Sequence, residues 1–229
     1  DSTKDWQGVR MAKAAHFVVT GEGTTLDVGT GLTYGGNWDN TLILEVRDGA
    51  AVSFAGGVAW PFAVAPARGT PNPKARAELT VTDASLTFGS PSSPAKELTF
   101  GRGYDALGAL TVSGDSTVDV YAGAHQSFGY DGGSVPGEGS LTVKGGAVTF
   151  HEGNNYRIYL GNGEMTTGRV SVVGGRLTDE GGYGLGVQKG VGFVTVSGGE
   201  LAVSRLPICS EESKAGESVV RQIGGAITV

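Results

Sequence analysis

Residues 140–150 read SLTVKGGAVTF, two short runs, Leu-Thr-Val and Val-Thr-Phe, joined by Gly145-Gly146. In each run the outer residues are apolar and the middle residue is a threonine. Side chains of a strand point alternately to opposite faces, so this pattern predicts two strands that each bury one face. The glycine pair predicts the turn between them, because glycine adopts left-handed backbone angles without steric cost.

The same two-run pattern occurs eight times along the 229-residue chain, in units of 24 to 34 residues. The turn between the runs usually carries glycine. In the third unit it reads Asp83-Ala84-Ser85, and aspartate is another residue that tolerates a positive φ. The second run of each unit begins at Leu26, Val52, Leu86, Val118, Val148, Leu177, Leu201 and Ile227.

A third run lies between consecutive units and pairs a large apolar residue with a small one. It occurs at Phe100-Gly101, Phe128-Gly129, Leu160-Gly161, Leu185-Gly186 and Ile208-Cys209. A further glycine often precedes the next unit by two residues, at Gly108, Gly139, Gly168 and Gly192.

Each unit is therefore predicted to contain three short strands. Such strands cannot bury a core as separate hairpins, whereas stacked coils bury one continuous column in which each strand pairs with its equivalent in the next coil. We predict an all-β fold, a parallel β-helix (β-solenoid) of about eight coils with three short strands each. It is expected to be right-handed, as crossovers between parallel strands almost always are. An antiparallel β-sandwich is the alternative.

We predict a single solenoid domain over residues 16–229, preceded by a polar lead or cap over residues 1–15 that is helical near 9–15. Proline-bearing or irregular segments are predicted to be loops that project from one corner of the solenoid. The final coil is expected to leave backbone groups unpaired, either because the chain belongs to a longer solenoid or because this end docks onto another subunit. The predicted loops are Ala63–Lys74, Pro91–Pro94 and Asp131–Glu138.

Charge and composition exclude several classes of protein. The net charge of −6 argues against binding to nucleic acid or to an anionic membrane surface. No apolar run approaches the ~20 residues that a membrane-spanning helix needs. The 41 glycines follow no collagen period, and Cys209 is the only cysteine, so no disulfide can form within the chain.

The units from residue 109 onward resemble the autotransporter-associated β-strand repeats of bacterial autotransporter-type passenger domains. The resemblance lies in GSLTVKGGAVTF, YLGNGEMTTGRVSVVGGRLT, LGVQKGVGFVTVSGGELAV and SVVRQIGGAITV. It implies a β-helix that is secreted or held at the bacterial cell surface, often in adhesion. It supplies no catalytic residues.

Carboxylates are the first candidate catalytic groups, because glycoside cleavage needs an acid pair facing one groove. They lie in different loops, and no pair recurs at one coil position, so we interpret them as solvated charges. Asp179 stands where other units have an inward Val or Phe; we predict that its coil widens and turns it outward, with a metal or ligand site as the alternative. These carboxylates are Asp105, Asp131, Glu138, Glu152, Glu164, Asp179 and Glu180.

The remaining reactive residue types give no catalytic or metal signature. His16, His125 and His151 occupy different offsets and lack zinc-ligand spacing. Cys209 occupies a column position that is otherwise glycine, which favours a packing role for a small residue.

Aromatic residues in the third-run and loop regions are the better candidates for binding. An exposed aromatic ladder on one face could stack on sugar rings or on a partner surface, whereas the other interpretation is that these rings cover loops and cap the core. The candidate ligand-binding residues are Tyr34, Trp38, Trp60, Tyr104, Tyr130, Tyr156 and Tyr159, with Phe62 and Tyr183 nearby.

We therefore predict a non-enzymatic structural or adhesive β-solenoid, extracellular or at the cell surface, with no metal and no cofactor. Its predicted partners are itself or neighbouring solenoid coils, through the terminal coils, and glycans or a host surface, but neither nucleic acid nor a membrane interior. The alternative is a carbohydrate-binding or carbohydrate-active module of the lyase or hydrolase kind.

Overall fold

The computed structural model describes residues 14–29, 32–35, 41–55, 62–65, 76–95, 97–102, 106–130, 136–151, 156–181, 184–206 and 216–229. Within these ranges the regular structure is entirely β. In chain order the strands are β1 (Ala14–Thr20), β2 (Thr25–Val28), β3 (Leu32–Gly35), β4 (Thr41–Arg47), β5 (Ala51–Phe54), β6 (Phe62–Ala65), β7 (Arg76–Thr82), β8 (Ser85–Phe88), β9 (Thr99–Arg102), β10 (Ala106–Ser113), β11 (Thr117–Tyr121), β12 (Gln126–Tyr130), β13 (Gly137–Val143), β14 (Ala147–His151), β15 (Ile158–Asn162), β16 (Thr166–Val172), β17 (Arg176–Asp179), β18 (Leu185–Gly186), β19 (Val191–Val196), β20 (Glu200–Val203), β21 (Glu217–Gln222) and β22 (Ala226–Thr228).

The strands form two long parallel sheets and a shorter third one. The first sheet has eight strands in the order β1-β4-β7-β10-β13-β16-β19-β21, and the second has eight in the order β2-β5-β8-β11-β14-β17-β20-β22. The third sheet has four strands, β18-β15-β12-β9, and β3 pairs with β6 separately. Strands that are equivalent in successive repeats pair in parallel throughout these sheets.

The stretch Ser140–Phe150 is a corner between the first and second sheets. Its first strand, β13, pairs with β10 and β16, and its second strand, β14, pairs with β11 and β17. The two strands therefore hydrogen-bond to the coils on either side and not to each other. The prediction of a parallel β-solenoid is confirmed, and the antiparallel β-sandwich is excluded.

Equivalent apolar residues stack in register to form the core. Leu79, Leu110 and Leu141 are neighbours on adjacent strands, and all are buried. Phe54 stacks on Phe88 with ring centroids 5.0 Å apart and an interplanar angle of 12°. Stacked aromatic pairs of this kind add to the free energy gained by burying their area.

Glycine recurs at two kinds of position, for two different structural reasons. At the corner between the first two sheets, Gly146 has a φ of 66°, and Asp83 fills the comparable corner of the third repeat with a φ of 49°. That confirms the prediction that aspartate substitutes for glycine there. The other glycines lie where the third sheet meets the first: a Cβ on Gly139 would overlap the backbone nitrogen of Gly129 and the carbonyl oxygen of Phe100.

Within the described ranges, fewer coils are complete than the eight predicted. The first two sheets have eight strands each, but the described residues include a third strand in only six of the repeats. The last of these, β18, has two residues. It lies in a segment that contains Gly181, Gly184, Gly186 and Gly190, and glycine weakens the interior of a strand.

The alignment predicted for the third run also needs one correction. Leu185 pairs with Ile158 rather than with Leu160, so the predicted column slips by two residues at this repeat. A slip of two residues keeps the same side chains facing inward, and Val187 is buried as the next core residue. Ile208-Cys209 lies outside the described residues.

Two of the predicted loops are partly strands. Ala63–Ala65 belong to β6, and Gly137-Glu138 begin β13. Pro91–Pro94 lie between β8 and β9, at the entrance to the third sheet. Residues 66–74 and 131–135 lie outside the described residues, so a single loop-bearing corner stays a prediction.

The N-terminal boundary differs slightly from the prediction. Strand β1 begins at Ala14 and pairs with β4 over its whole length, so Ala14-Ala15 are extended rather than helical. Residues 1–13 lie outside the described part of the chain. The right-handed sense of the solenoid stays a prediction. Among the described residues, no helix is long and apolar enough to cross a membrane.

Candidate binding surfaces

The structure describes only some of the residues of the predicted aromatic surface. Trp38, Trp60, Tyr104 and Tyr183 lie outside the described residues. Tyr34 and Phe62 are placed by their backbones, in β3 and β6 respectively. The side chains of Tyr130, Tyr156 and Tyr159 can be described: Tyr156 and Tyr159 are buried, and Tyr130 is partly exposed on the third sheet.

Tyr156 belongs to the core. Its side chain is 0% exposed, and its hydroxyl group lies 2.9 Å from the carbonyl oxygen of Phe150 and 2.6 Å from Oδ1 of Asp179. Burial, together with the hydrogen bond to Asp179 and its charge, raises the pKa of Tyr156 well above the ordinary value. The phenol therefore stays protonated as a donor, and its assignment to an exposed ligand-binding surface is wrong.

Asp179 faces inward, in the column otherwise filled by Val or Phe, and is 5% exposed. Its Oδ1 also accepts a hydrogen bond from the backbone N–H of Gly181 at 3.1 Å, and its Oδ2 accepts one from Ser204 Oγ at 3.2 Å. A buried carboxylate is tolerated when donors surround it. The prediction that Asp179 turns outward is therefore wrong, because Tyr156, Gly181 and Ser204 stabilise it in the core.

Tyr130 and Tyr159 lie on the third sheet, each beside an arginine. The guanidinium carbon of Arg102 is 4.8 Å from the ring centroid of Tyr130, and that of Arg157 is 5.6 Å from the ring centroid of Tyr159. The ring of His125 meets Tyr159 edge-on, with centroids 5.1 Å apart. These five residues, which we call the arginine–tyrosine surface, come from three successive strands, β9, β12 and β15, and their flanking residues.

His125 is a neutral hydrogen-bond donor on this surface. Its Nδ1 accepts the backbone N–H of Arg157 at 3.0 Å, which leaves Nε2 to carry the proton. Desolvation lowers the pKa of His125, the charge of Arg157 lowers it further, and Glu97 opposes these effects. The surface therefore combines one partly exposed aromatic ring, that of Tyr130, with two cations and an uncharged donor. Tyr159 is 8% exposed, so its assignment to an exposed ligand-binding surface is wrong.

A polar cluster on the second sheet was missed in the sequence. His151 Nε2 lies 2.8 Å from Oδ1 of Asp119, its Nδ1 lies 3.1 Å from Oε2 of Glu180, and its ring stacks on Tyr121 at 4.4 Å. These residues come from three successive repeats. Tyr121, His151 and Glu180 each follow directly after the last inward residue of their second-sheet strand. Comparing this position between repeats would have brought the three residues together.

The His151 cluster acts as a clamp across three coils. Carboxylates only accept hydrogen bonds, so a neutral imidazole donates to one of the two and a protonated ring donates to both. In either form His151 lies between carboxylates of the two neighbouring coils and connects β11, β14 and the end of β17. No group of three or more His, Cys, Asp or Glu in the described ranges could hold a metal ion.

A groove of about 270 Å³ lies on the outer face of the first sheet. Leu107, Ala109 and Ser140 line its middle, and ion pairs border it. Glu78 pairs with Arg76, and Glu138 pairs with Arg169 at 2.8 Å. Glu138, one of the carboxylates predicted to lie in a loop, thus lies on β13 and forms an ion pair with Arg169.

The two ends of the solenoid core are more open than its middle. Phe17 is 37% exposed, whereas its register partner Leu44 is 0% exposed. Val220 and Ile227 at the other end are only partly buried, although their partners Val194 and Leu201 are buried. Strands β1 and β2 are the outermost described strands at one end of the two long sheets, and β21 and β22 are the outermost at the other.

No family model, no curated protein and no solved structure matches this chain. The resemblance to autotransporter passenger repeats accordingly stays a prediction.

Proposed function

We propose that this chain is a non-enzymatic structural or adhesive β-solenoid that is secreted or held at the cell surface. The observation that carries the proposal is the pair of uninterrupted eight-stranded parallel sheets. Their seven strand-to-strand intervals, at roughly 4.8 Å each, give a rod about 34 Å long. One continuous core stiffens this rod, as a scaffold requires.

The outer face of the first sheet supports an adhesive role. Its central column consists of short hydroxyl side chains in register on five successive strands. Such a column makes the face flat and rich in donors and acceptors, so it can lie against a polymer or a second sheet. These residues are Thr80, Thr111, Thr142, Ser171 and Thr195.

The surface location rests on the passenger-like repeats. It is tested by labelling intact and permeabilised cells of the source with an antibody against the solenoid. Equal labelling of both is the expected result. Labelling that appears only after permeabilisation would contradict the location.

The non-enzymatic part of the proposal has a separate test. The purified chain is incubated with a panel of neutral and acidic polysaccharides, and new reducing ends and unsaturated products are measured. We expect no release above that of the heat-denatured chain. Release that depends on the folded chain would replace the scaffold with the carbohydrate-active alternative.

The arginine–tyrosine surface favours a second candidate function, glycan binding without cleavage. The partly exposed ring of Tyr130 can stack on a sugar face, and the guanidinium groups of Arg102 and Arg157 suit acidic sugars. Affinity electrophoresis in gels containing an acidic polysaccharide tests this function. Tyr130→Ala should abolish the retardation, whereas Tyr121→Ala, which removes a half-buried ring of the second sheet, should leave it unchanged. Equal loss in both variants would exclude the arginine–tyrosine surface as the binding site.

A further inference from the structure

Asn162 is followed by Gly163, and this is the only Asn-Gly pair in the sequence. The other five asparagines precede Trp, Thr, Pro, Asn and Tyr. The backbone nitrogen of the next residue can attack the side-chain amide of an asparagine, and a β-carbon on that residue obstructs the attack. Glycine has no β-carbon, so the pair Asn162-Gly163 is the place in this chain where such an attack is least obstructed.

Asn162 lies where a strand becomes a turn. It is the last residue of β15, and its side chain is partly exposed. Gly163 opens the turn to β16, in which the N–H and the hydroxyl group of Thr166 both bond to the carbonyl oxygen of Gly163, at 3.2 Å and 2.8 Å. The attack requires rotation of the backbone and side chain of Asn162, and the end of a strand permits such rotation more readily than its interior.

The described strand pairing holds Asn162 on one side. Strand β12 reaches it there, where Tyr130 is its register partner. On the other side, β18 pairs with the first two residues of β15 and stops short of Asn162. The N–H of Gly190 on that side bonds to the carbonyl oxygen of Gly161, one residue earlier, at 3.0 Å.

The side-chain amide of Asn162 is held weakly, and a carboxylate fits in its place. Its Nδ2 donates to Oγ of Ser127 at 3.4 Å, which is long for a hydrogen bond. Ser127 is buried, and its hydroxyl group can donate as well as accept. A carboxylate at position 162 would therefore accept from Ser127, and the fold would keep this contact.

Position 162 lies beside the arginine–tyrosine surface. Asn162, Tyr130 and Arg102 are register partners on β15, β12 and β9, and the guanidinium carbon of Arg102 is 4.8 Å from the ring centroid of Tyr130. Neighbouring strands are about 4.8 Å apart. A negative charge at position 162 would repel an acidic sugar stacked on Tyr130 and would compete with that sugar for Arg102.

We propose that Asn162 is a deamidation site, and that its conversion weakens the binding of acidic sugars at the arginine–tyrosine surface. The nitrogen of Gly163 loses its proton and forms a bond to Cγ of Asn162, while the bond from Cγ to Nδ2 breaks and ammonia leaves. Water then opens the cyclic imide at either carbonyl and leaves aspartate or isoaspartate. Water is the only co-reactant, and nothing is oxidised or reduced. The effect on sugar binding rests on the proposed glycan-binding function.

Peptide mapping by mass spectrometry tests the site. The folded chain is incubated in heavy-oxygen water, in mildly acidic and in mildly alkaline buffer. The peptide that contains Asn162 should gain the mass of an amide-to-carboxyl conversion, with the heavy oxygen in the product. The rate should rise with pH, because the attacking nitrogen must lose a proton, and should exceed that of every other asparagine.

Two variants make the mass measurement specific. Gly163→Ala puts a β-carbon beside the attacking nitrogen and should slow the conversion by about tenfold or more. Asn162→Gln requires a larger ring and should remain unconverted over the same time. Circular dichroism establishes that both variants fold. Conversion no faster than at the other asparagines, or conversion that Gly163→Ala leaves unchanged, would overturn the site.

Affinity electrophoresis in gels containing an acidic polysaccharide tests the consequence. The converted chain and Asn162→Asp should show an apparent affinity about three- to tenfold below that of the fresh chain. Thr178→Asp is the control, since it adds the same charge to the outer face of the second sheet and should retain the fresh chain's affinity. Gels without polysaccharide correct for the change in mobility that the added charge itself causes.

The failure of this inference is distinguishable from that of the proposed function. A fresh chain that is retarded, together with equal retardation of Asn162→Asp, removes the effect on binding and keeps the glycan-binding function. A fresh chain that is not retarded at all removes both the function and the effect on it. The mass measurement decides the deamidation site in either case.

Discussion

The first and second sheets differ from the third in regularity, although the same repeats build all three. The first two continue through eight strands each, whereas the third is divided into a four-stranded and a two-stranded part. Short corners, most of which carry glycine, join the first sheet to the second, whereas many residues before and after the third-sheet strands lie outside the described part of the chain. The regular sheets therefore provide length and stiffness, and the third sheet and its flanking residues carry Arg102, Tyr130 and Arg157.

The largest effect is expected where the third sheet meets the first. Gly139→Ala places a Cβ against backbone atoms of Gly129 and Phe100, which cannot move without breaking their own pairing. We expect the free energy of unfolding to fall by about 3 kcal/mol or more, measured by denaturant titration. Gly29→Ala is the control, because a Cβ there meets nothing within 4 Å. If both variants unfold at the same denaturant concentration, the close approach of the two sheets is wrong.

The second largest loss of stability is expected at Asp179, the buried carboxylate in the inward column of the second sheet. Asp179→Ala removes the acceptor of the Gly181 N–H and leaves the hydroxyl group of Tyr156 with only the carbonyl oxygen of Phe150. A loss of about 2–3 kcal/mol in the free energy of unfolding is expected, with a smaller loss for Asp179→Asn, which retains an acceptor oxygen.

Tyr156→Phe provides the double-mutant cycle for Asp179. If the two groups interact, combining Tyr156→Phe with Asp179→Ala should cost clearly less than the sum of the two single losses. Additive losses would show that Asp179 is stabilised by something other than Tyr156.

A smaller effect is expected from the clamp on the outer face of the second sheet. His151→Ala removes the ring that lies between Asp119 and Glu180, but the cluster is partly solvated. We expect a loss of about 0.5–1 kcal/mol in chemical denaturation. His16→Ala, which removes one exposed contact with Glu45, should cost less. A larger loss for His16 than for His151 would contradict a clamp across three coils.

The smallest expected effect is a pH dependence of the folding stability, which arises from His125 beside the third sheet. The pKa of His125 is lowered in the folded state, so below its usual value of 6.5 the unfolded chain binds more protons than the folded chain. Stability should therefore fall as the pH drops through 6.5 toward the lowered value. His125→Asn should weaken this fall, measured as the difference between the melting temperatures at pH 7.5 and pH 5.5. An unchanged difference would exclude His125 as a contributor.

The regular part of the fold could be predicted because each inward position repeats. Leu141, Val143, Val148 and Phe150 are all buried as the alternation predicts, and the Gly-Gly corner follows from backbone conformation alone. Local pattern decides such features, so a single sequence is enough to predict them.

The third sheet and the polar clusters could be predicted only in part. The register of Leu185 depends on pairing with Ile158 in the previous repeat, and a slip of two residues leaves the apolar pattern unchanged. Asp179 faces inward because donors from Tyr156 and Ser204 reach it from other repeats. Contacts of this kind depend on three-dimensional packing and leave no local signal.

Cross-linking between repeats tests the stacked-coil architecture most directly. In a Cys209→Ser background, Thr111→Cys with Thr142→Cys places two cysteines opposite each other on β10 and β13. Adjacent strands bring such residues within the range that a disulfide spans. The matched pair, Thr142→Cys with Thr149→Cys, lies on the two strands of Ser140–Phe150. We expect mild oxidation to cross-link the first pair and leave the second as free thiols; cross-linking of the second pair alone would show a hairpin and contradict the solenoid.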